Sequence, residues 1–321
     1  MHKHSHGHSH GHKHPNDTEA QNDRYAQGQF STWVSVAVNI VLTVAQAIIG
    51  VFAQSQALVA DAIHSLSDLL SDFVVLVANK HSQKGPDADH HYGHLRFETA
   101  ASLVLGVLLL AVGIGMLWSA FNKLQNPEDI QKVHYAALVA GALTLACKEL
   151  LFRYLLRVGE RVRSSMLIAN AWHARSDAAS SLVVVVGITA NLMGLPIADP
   201  LAALIVGLMV GRMGWQFFHN AFSDLMDRAV DEETTQRIRD HLLATPGVYG
   251  LHDLKTRKLG DMIWVEVDLE MNGRLTIAEG HDIAVEARRR VMANEAVLDV
   301  MTHFDPVQVD DNGNVVKPMS T

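Results

Sequence analysis

Sulfur is nearly missing from this chain's supply of metal ligands. Its single cysteine, Cys147, lies inside an apolar run, so no disulfide can form within the chain and thiolate metal sites are nearly excluded. A basic surplus is missing too. The chain has 26 Lys and Arg against 34 Asp and Glu, a formal charge of −8, which argues against a nucleic-acid partner. The first thirty residues lack the basic stretch and apolar core of a secretory signal, and the N-terminus is therefore expected to stay in the cytoplasm. No G-x-x-x-x-G-K-S/T loop is present, which argues against an ATP-driven pump, and no nucleophile–base set marks an enzyme.

What the chain has in place of sulfur is histidine. There are 19, more than packing would use, so a transition-metal site here must be built from imidazole and carboxylate. That ligand set suits zinc, and also Fe(II), Co, Ni or Mn. His2, His4, His6, His8, His10, His12 and His14 alternate with Lys, Ser and Gly. Such a tract cannot build a core, and residues 1–30 are expected to form a disordered cytoplasmic tail. His-rich tracts bind metal; an appended tag is the alternative origin.

The hydrophobic fraction of 49% is ordinary, but the apolar residues concentrate between Ser31 and Phe222. They form six segments: Ser31–Ala53, Ala57–Asn79, Phe97–Leu124, Tyr135–Leu156, Ser165–Gly194 and Asp199–Phe222. Each reaches the ~20 residues that cross ~30 Å of hydrocarbon as a helix. The second and fifth are the least apolar, with ionisable residues in mid-span. Lys80, Lys84 and Arg96 flank the link between spans two and three, and Arg153, Arg157, Arg161 and Arg163 crowd the link between four and five. The other links carry only Lys132, so the positive-inside rule puts both termini in the cytoplasm.

After Asp224 the pattern changes. Asp231–Ala244 reads as a helix, Tyr249–Leu259 and Met262–Met271 as strands joined through Gly260-Asp261, Thr276–Ala293 as a helix and Val297–Val309 as a last strand. Val265, Val267 and Leu269 alternate with Glu266, Asp268 and Glu270, a half-buried strand. The expected fold is thus an all-α six-helix membrane bundle over residues 31–224, followed by a cytoplasmic α+β domain (αββαβ, ferredoxin-like) over 225–309. The tail over 310–321 shows no periodicity and is expected to be disordered.

Span two holds Asp61, His64 and Asp68, and span five holds His173 and Asp177. His64–Asp68 and His173–Asp177 are each spaced i, i+4, which projects each pair from one helix face. Ionised Asp within a bilayer costs several kcal/mol unless paired or hydrated, so a functional role is the default. Two imidazoles and two carboxylates make a full tetrahedral shell for Zn²⁺. The alternative is a set of hydrogen bonds that merely locks the helices.

The stretch Ala57-Leu-Val-Ala-Asp-Ala-Ile-His-Ser-Leu-Ser-Asp68 with His173-Ala-Arg-Ser-Asp177 resembles the cation diffusion facilitator family. So do Asp87…His90-His-Tyr-Gly-His94 and the ending His303-Phe-Asp-Pro306. The similarity is greatest to the bacterial zinc and iron efflux branch. It implies a homodimer in the lipid bilayer, in the bacterial inner membrane, that exchanges cytoplasmic metal for protons. By motif the transport site falls on His64, Asp68, His173 and Asp177. A loop site falls on Asp87, His90 and His94, where a solvated loop with chance histidines is the plainer alternative. A cytoplasmic site falls on His252, Asp268, His281, His303 and Asp305; position 268 is often His in close relatives. Arg96 and Asp227 match a charge interlock between membrane and cytoplasmic domains. The two-His form of the quartet resembles zinc-selective members, and an Asp at position 64 goes with broader use. His219 and His241 match no motif and are expected to be structural; His134 is expected to be incidental, and Lys148 and Glu149 have no assignment.

The expected function is proton-coupled export of divalent cations, Zn²⁺ first, with Fe²⁺, Cd²⁺, Co²⁺ and Mn²⁺ as alternatives. A passive channel or importer could use the same ligands. A membrane-bound metal sensor would not need a quartet at mid-membrane.

Overall fold

The computed structural model describes residues 15–126, 128, 130, 132–162, 164–310 and 315–318. The His tract at 2–14 and Arg163 lie outside them. Two compact units are present: one holds residues up to Leu70 together with Ala111–Arg212, the other Ser71–Leu110 together with residues from Met213 onward.

Six long helices come first: α1 (Pro15–Phe52), α2 (Gln56–Ser82), α3 (Arg96–Gln125), α4 (Tyr135–Val162), α5 (Ser165–Leu192) and α6 (Ala198–Leu225). Each covers one of the expected spans. Among the described residues, Phe30–Phe52 of α1 and the whole of α3, α4 and α6 are long and apolar enough to cross a membrane. α2 and α5 are diluted by Asp61, His64, Asp68 and Asp72, and by His173, Arg175 and Asp177. Large apolar side chains such as Trp33, Phe73, Trp118, Leu143 and Val186 are exposed, which is unfavourable in water and stable against hydrocarbon.

In the first unit Ala57, Leu58, Val184, Ile188, Val206 and Val210 form the core. A Cβ added at Gly113 would lie 2.7 Å from the Gly211 backbone, so α3 and α6 meet there with no side chain between them. The start of α2 is fixed from another helix. Leu58 N–H donates to Ser55 Oγ at 3.2 Å, and the Asp199 carboxylate at the head of α6 accepts from Ser55 Oγ at 2.6 Å, Gln56 N–H at 2.7 Å and Ala57 N–H at 3.3 Å. These are the backbone donors that a helix start leaves orphaned.

The α+β domain follows as α7 (Glu232–Leu243), β1 (Gly250–Leu259), β2 (Met262–Asn272), α8 (Ile277–Asn294), β3 (Val297–Val309) and β4 (Val315–Pro318). Gly260 takes φ 60° in the β1–β2 turn, where a side chain would be strained. β1 and β2 are antiparallel, and the α8 crossover makes β3 parallel to β2. α8 opens on a capping box between Thr276 and Glu279. Val265, Val267 and Leu269 are buried with Ile238, Leu242, Ala287 and Val291, whereas Glu266, Asp268 and Glu270 alternate onto the other face.

Two expectations need correction. Residues 15–29 are helical, not disordered: Pro15 suits a first helical turn, and Glu19, Ala20, Gln21 and Ala26 favour helix. The tail after Val309 is not without structure either. Val315–Pro318 pairs antiparallel with Val307–Val309, because the edge of β3 offers unpaired backbone groups and Val315 and Val316 are good strand formers.

Candidate metal centres

Between α2 and α5, ligand atoms of His64, Asp68 and Asp177 lie within 4.8 Å of one another. The i, i+4 spacing on α2 puts His64 Nδ1 3.9 Å from Asp68 Oδ2, and α5 supplies Asp177. His64 is 7% exposed, and among the described residues its Nδ1 has no hydrogen-bond partner. A buried ring nitrogen without a partner is costly; a cation held between it and two carboxylates removes that cost. His173 is placed differently. Its Nε2 lies 3.9 Å from Asp177 Oδ2, but its side chain is 57% exposed and it stands outside the three-residue cluster. Three of the four quartet residues are therefore together and the fourth is at their edge.

Beside this cluster lies polar chemistry that the sequence pattern did not reveal. Asp61 is fully buried and accepts from Gln46 Nε2 at 2.6 Å, Ser181 Oγ at 2.7 Å and Ser180 Oγ at 3.1 Å. Glu149 accepts from Arg153 Nε at 2.8 Å, one helical turn away.

The link between α2 and α3 is organised around Asp87. Its Oδ1 accepts the backbone N–H of His90 at 2.8 Å and of Asp89 at 3.0 Å, an Asx turn. Those bonds, that of His90 above all, hold the carboxyl below the usual carboxylate range, with a further contribution from the His94 and His90 rings. His90 Nδ1 lies 3.4 Å from Asp87 Oδ1, and His94 Nε2 lies 3.4 Å from Asp87 Oδ2. His94 Nδ1 faces the Gly85 carbonyl at 3.3 Å, and a proton on that nitrogen leaves Nε2 as a lone pair directed toward Asp87. All three residues of the expected loop site are thus brought together.

In the α+β domain His252, Asp268 and Asp305 have ligand atoms within 4.8 Å of one another, with His252 Nδ1 3.6 Å from Asp305 Oδ2. The strand register explains this: His252 stands opposite Asp268, and Asp268 opposite His303, a row across three strands. His303 is exposed in that row but outside the cluster. His281 sits on α8, which packs on the apolar face of the sheet, so within one chain it does not meet the Asp268 face.

Arg96 and Asp227 form an ion pair. Arg257 adds to it, with Nη1 3.8 Å from Asp227 Oδ2 and Nη2 3.4 Å from Glu266 Oε1. No motif marks Arg257; a cation on β1 beside the acidic face of β2 was the available signal. Asp227 has φ 58°, uncommon for a residue with a side chain. His134 Nδ1 accepts from Ala136 N–H at 3.2 Å at the start of α4, His241 pairs with Glu295 at 3.9 Å, and the His219 ring lies 6.1 Å from that of Trp215.

Comparison with known proteins adds a frame to this geometry. The family model described as the cation efflux transmembrane domain matches residues 32–226, and that described as the cation efflux protein, cytoplasmic domain, matches residues 230–307. The manganese efflux system protein MneS of Bacillus subtilis is 33% identical over 290 residues, 89% of this chain and 98% of the relative. Metal tolerance protein C1 of Arabidopsis thaliana is 33% identical over 288 residues, 85% of this chain, and the match spans 61% of that protein's length. Magnetosome protein MamB of Magnetospirillum gryphiswaldense is 33% identical over 259 residues, 81% of this chain and 87% of the relative.

Proposed function

This chain belongs to the cation diffusion facilitator, or cation efflux, family, and we propose that it exports divalent metal ions, zinc foremost, from the cytoplasm in exchange for protons. Membership makes it an integral membrane cation transporter with a cytoplasmic domain, and not an enzyme. The observation that carries the proposal is the meeting of His64, Asp68 and Asp177 between two membrane helices. Ligand imidazole must be neutral and carboxylate ionised, so binding of metal displaces protons and arrival of protons displaces metal. His173, at the edge of the cluster, completes a tetrahedral shell by turning toward Asp177.

Two imidazoles favour zinc. Manganese is the second reading, and a specific observation favours it: the ligands already together are one imidazole and two carboxylates, a harder set, and a relative 33% identical is named for manganese efflux. Export, rather than import or passive flow, is favoured by the placement of the loop and cytoplasmic clusters on the side that the positive-inside rule assigns to the cytoplasm. The setting is then a bacterial inner membrane with both termini cytoplasmic. His252, Asp268 and Asp305 form a partial shell that a second copy of the chain, presenting His281 or His303, would complete, making metal a promoter of one placement of the paired domains.

Purified protein in liposomes, with a pH-sensitive dye inside and a panel of Zn²⁺, Mn²⁺, Fe²⁺, Co²⁺ and Cd²⁺ outside, tests the proposal. Metal should drive proton flux, and Asp68→Ala or Asp177→Ala should abolish it while the protein stays folded. Wild-type flux in either variant defeats the assignment of the site.

A further inference from the structure

Lys148 is a cation in the middle of α4, 3% exposed, in a helix that otherwise qualifies as a membrane span. Its ammonium donates to Ser181 Oγ at 3.0 Å and Ser65 Oγ at 3.2 Å, with the Asp177 backbone carbonyl at the edge of hydrogen-bond range, 3.5 Å. Ser65 follows the ligand His64 on α2, and Asp177 is itself a ligand on α5. From α4, one side chain therefore holds both ligand-bearing helices at the level of their ligands.

Asp61 is the counter-charge. Its Oδ2 lies 3.6 Å from Lys148 Nζ, an ion-pair distance, and accepts from Gln46 Nε2 at 2.6 Å and Ser181 Oγ at 2.7 Å. The single proton of Ser180 Oγ also lies in reach of the Asp177 carbonyl, at 2.8 Å. A pair present only to neutralise charge would direct the ammonium protons at the carboxylate. Here the two shortest ammonium contacts go to Ser65 on α2 and Ser181 on α5 instead. Burying two opposite charges is expensive even when they are paired, and within a membrane such groups are kept for function.

We propose that Lys148 is a positioning residue for transport: its ammonium, balanced by Asp61, brackets α2 and α5 and sets the spacing of His64 and Asp68 from Asp177. The proposal rests on those residues being the transport site. Groups that orient metal ligands without touching metal typically change affinity by about 10–100-fold when removed, and that is the effect assigned to Lys148.

The test is metal-driven proton flux in liposomes with KM and maximal flux determined separately. Lys148→Met should raise KM for the transported metal about 10–100-fold, and maximal flux should fall by less. A purely structural role would reduce the folded fraction, lowering maximal flux and leaving KM unchanged; that result overturns the proposal. Lys148→Met leaves Asp61 as an unpaired buried charge and can fail to fold, so two further variants carry the same test. Lys148→Met combined with Asp61→Asn removes both charges: KM should stay raised, and a return to the wild-type value would reduce Lys148 to a neutraliser of Asp61. Ser65→Ala cuts only the link to α2 and should raise KM several-fold; an unchanged KM defeats the bracket. Asp177→Ala separates the levels. If it abolishes flux while the Lys148 variants keep wild-type KM, only the bracket fails; if it transports normally, the site assignment fails first.

Discussion

Asp199→Ala should loosen the start of α2 although Asp199 lies at the head of α6. The carboxylate accepts two short bonds, from Ser55 Oγ at 2.6 Å and Gln56 N–H at 2.7 Å, and a longer one from Ala57 N–H at 3.3 Å. Ser55 and Ala57 are 1% and 0% exposed, so water cannot replace the lost acceptor at those two positions. Hydrogen bonds to a charged group contribute about 1.5–3 kcal/mol each, and a buried donor left unsatisfied costs about 1–3 kcal/mol. Taking the two short bonds as the main loss gives about 3–6 kcal/mol, and Asp199→Asn, which keeps one acceptor oxygen, should cost roughly half of that. A double-mutant cycle with Ser55→Ala isolates the direct contact, with a coupling of about 1–3 kcal/mol expected between the two positions. Amide hydrogen exchange in detergent gives a local measurement: Gln56 and Ala57 should lose protection in Asp199→Ala, and α5 should change less. If these amides stay as protected as in the wild type, and the melting temperature is unmoved, α2 is not held from α6 and the reasoning is wrong.

Other expectations follow from the same geometry. His64 is buried within the cluster and His173 is largely exposed at its edge; His64→Ala should therefore raise KM for metal more than His173→Ala, in the same flux assay. Equal effects would mean that His173 is fully engaged before metal arrives. Gly113→Ala places a Cβ 2.7 Å from the Gly211 backbone and should cost about 1–3 kcal/mol by overpacking. Gly211→Ala meets nothing within 4 Å and should melt at or slightly above the wild-type temperature, since Ala is the better helix former by about 1 kcal/mol. For Asp87, the His90 and Asp89 amides lower the native carboxyl pKa. Its contribution to loop order is then complete above the unfolded value near ~3.9 and lost only as pH falls through the lower native value. The His90 amide resonance should keep its bonded shift at pH 5, above both the unfolded and the native carboxyl values; collapse of the turn at that pH would contradict the role given to Asp87.

Much of this was legible in the amino-acid order because it depends on short periods. Six apolar runs of spanning length became α1 to α6, and the lower apolarity of the second and fifth already singled out the helices that carry the proposed ligands. The i, i+4 spacing put His64 over Asp68 without knowledge of any partner helix. Strand alternation placed Asp268 opposite the apolar face of β2, whereas the row it forms with His252 and His303 comes from the strand register. What could not be read were contacts made once, between distant residues, by groups with no repeating pattern. Asp199 caps a helix that begins 143 residues earlier. Lys148 meets Ser65 across 83 residues and Ser181 across 33, and nothing in the apolar run around Cys147 shows where its charge is answered. Arg257 joins Asp227 and Glu266 by lying beside Glu266 on the folded sheet and within reach of Asp227 in the turn after α6.

These missed residues share a physical cause. Each is a polar group that the fold buries or half-buries and must satisfy, so its partner is set by tertiary placement and not by local propensity. The same cause gives them influence over the site. A ligand pair on one helix is fixed by helical geometry alone, but a metal shell divided between α2 and α5 depends on the distance between those helices. Apolar packing holds that distance only as well as Ala and Val side chains interlock. Directional bonds from Asp199 to the start of α2, and from Lys148 to both helices beside the ligands, fix it at two levels. A cation transporter must let the helices around its ion move. The spacing of the proposed ligands should therefore respond most to changes at Lys148, whose hydrogen bonds to Ser65 and Ser181 lie beside them, and less to changes at Asp199, about two turns away on α2.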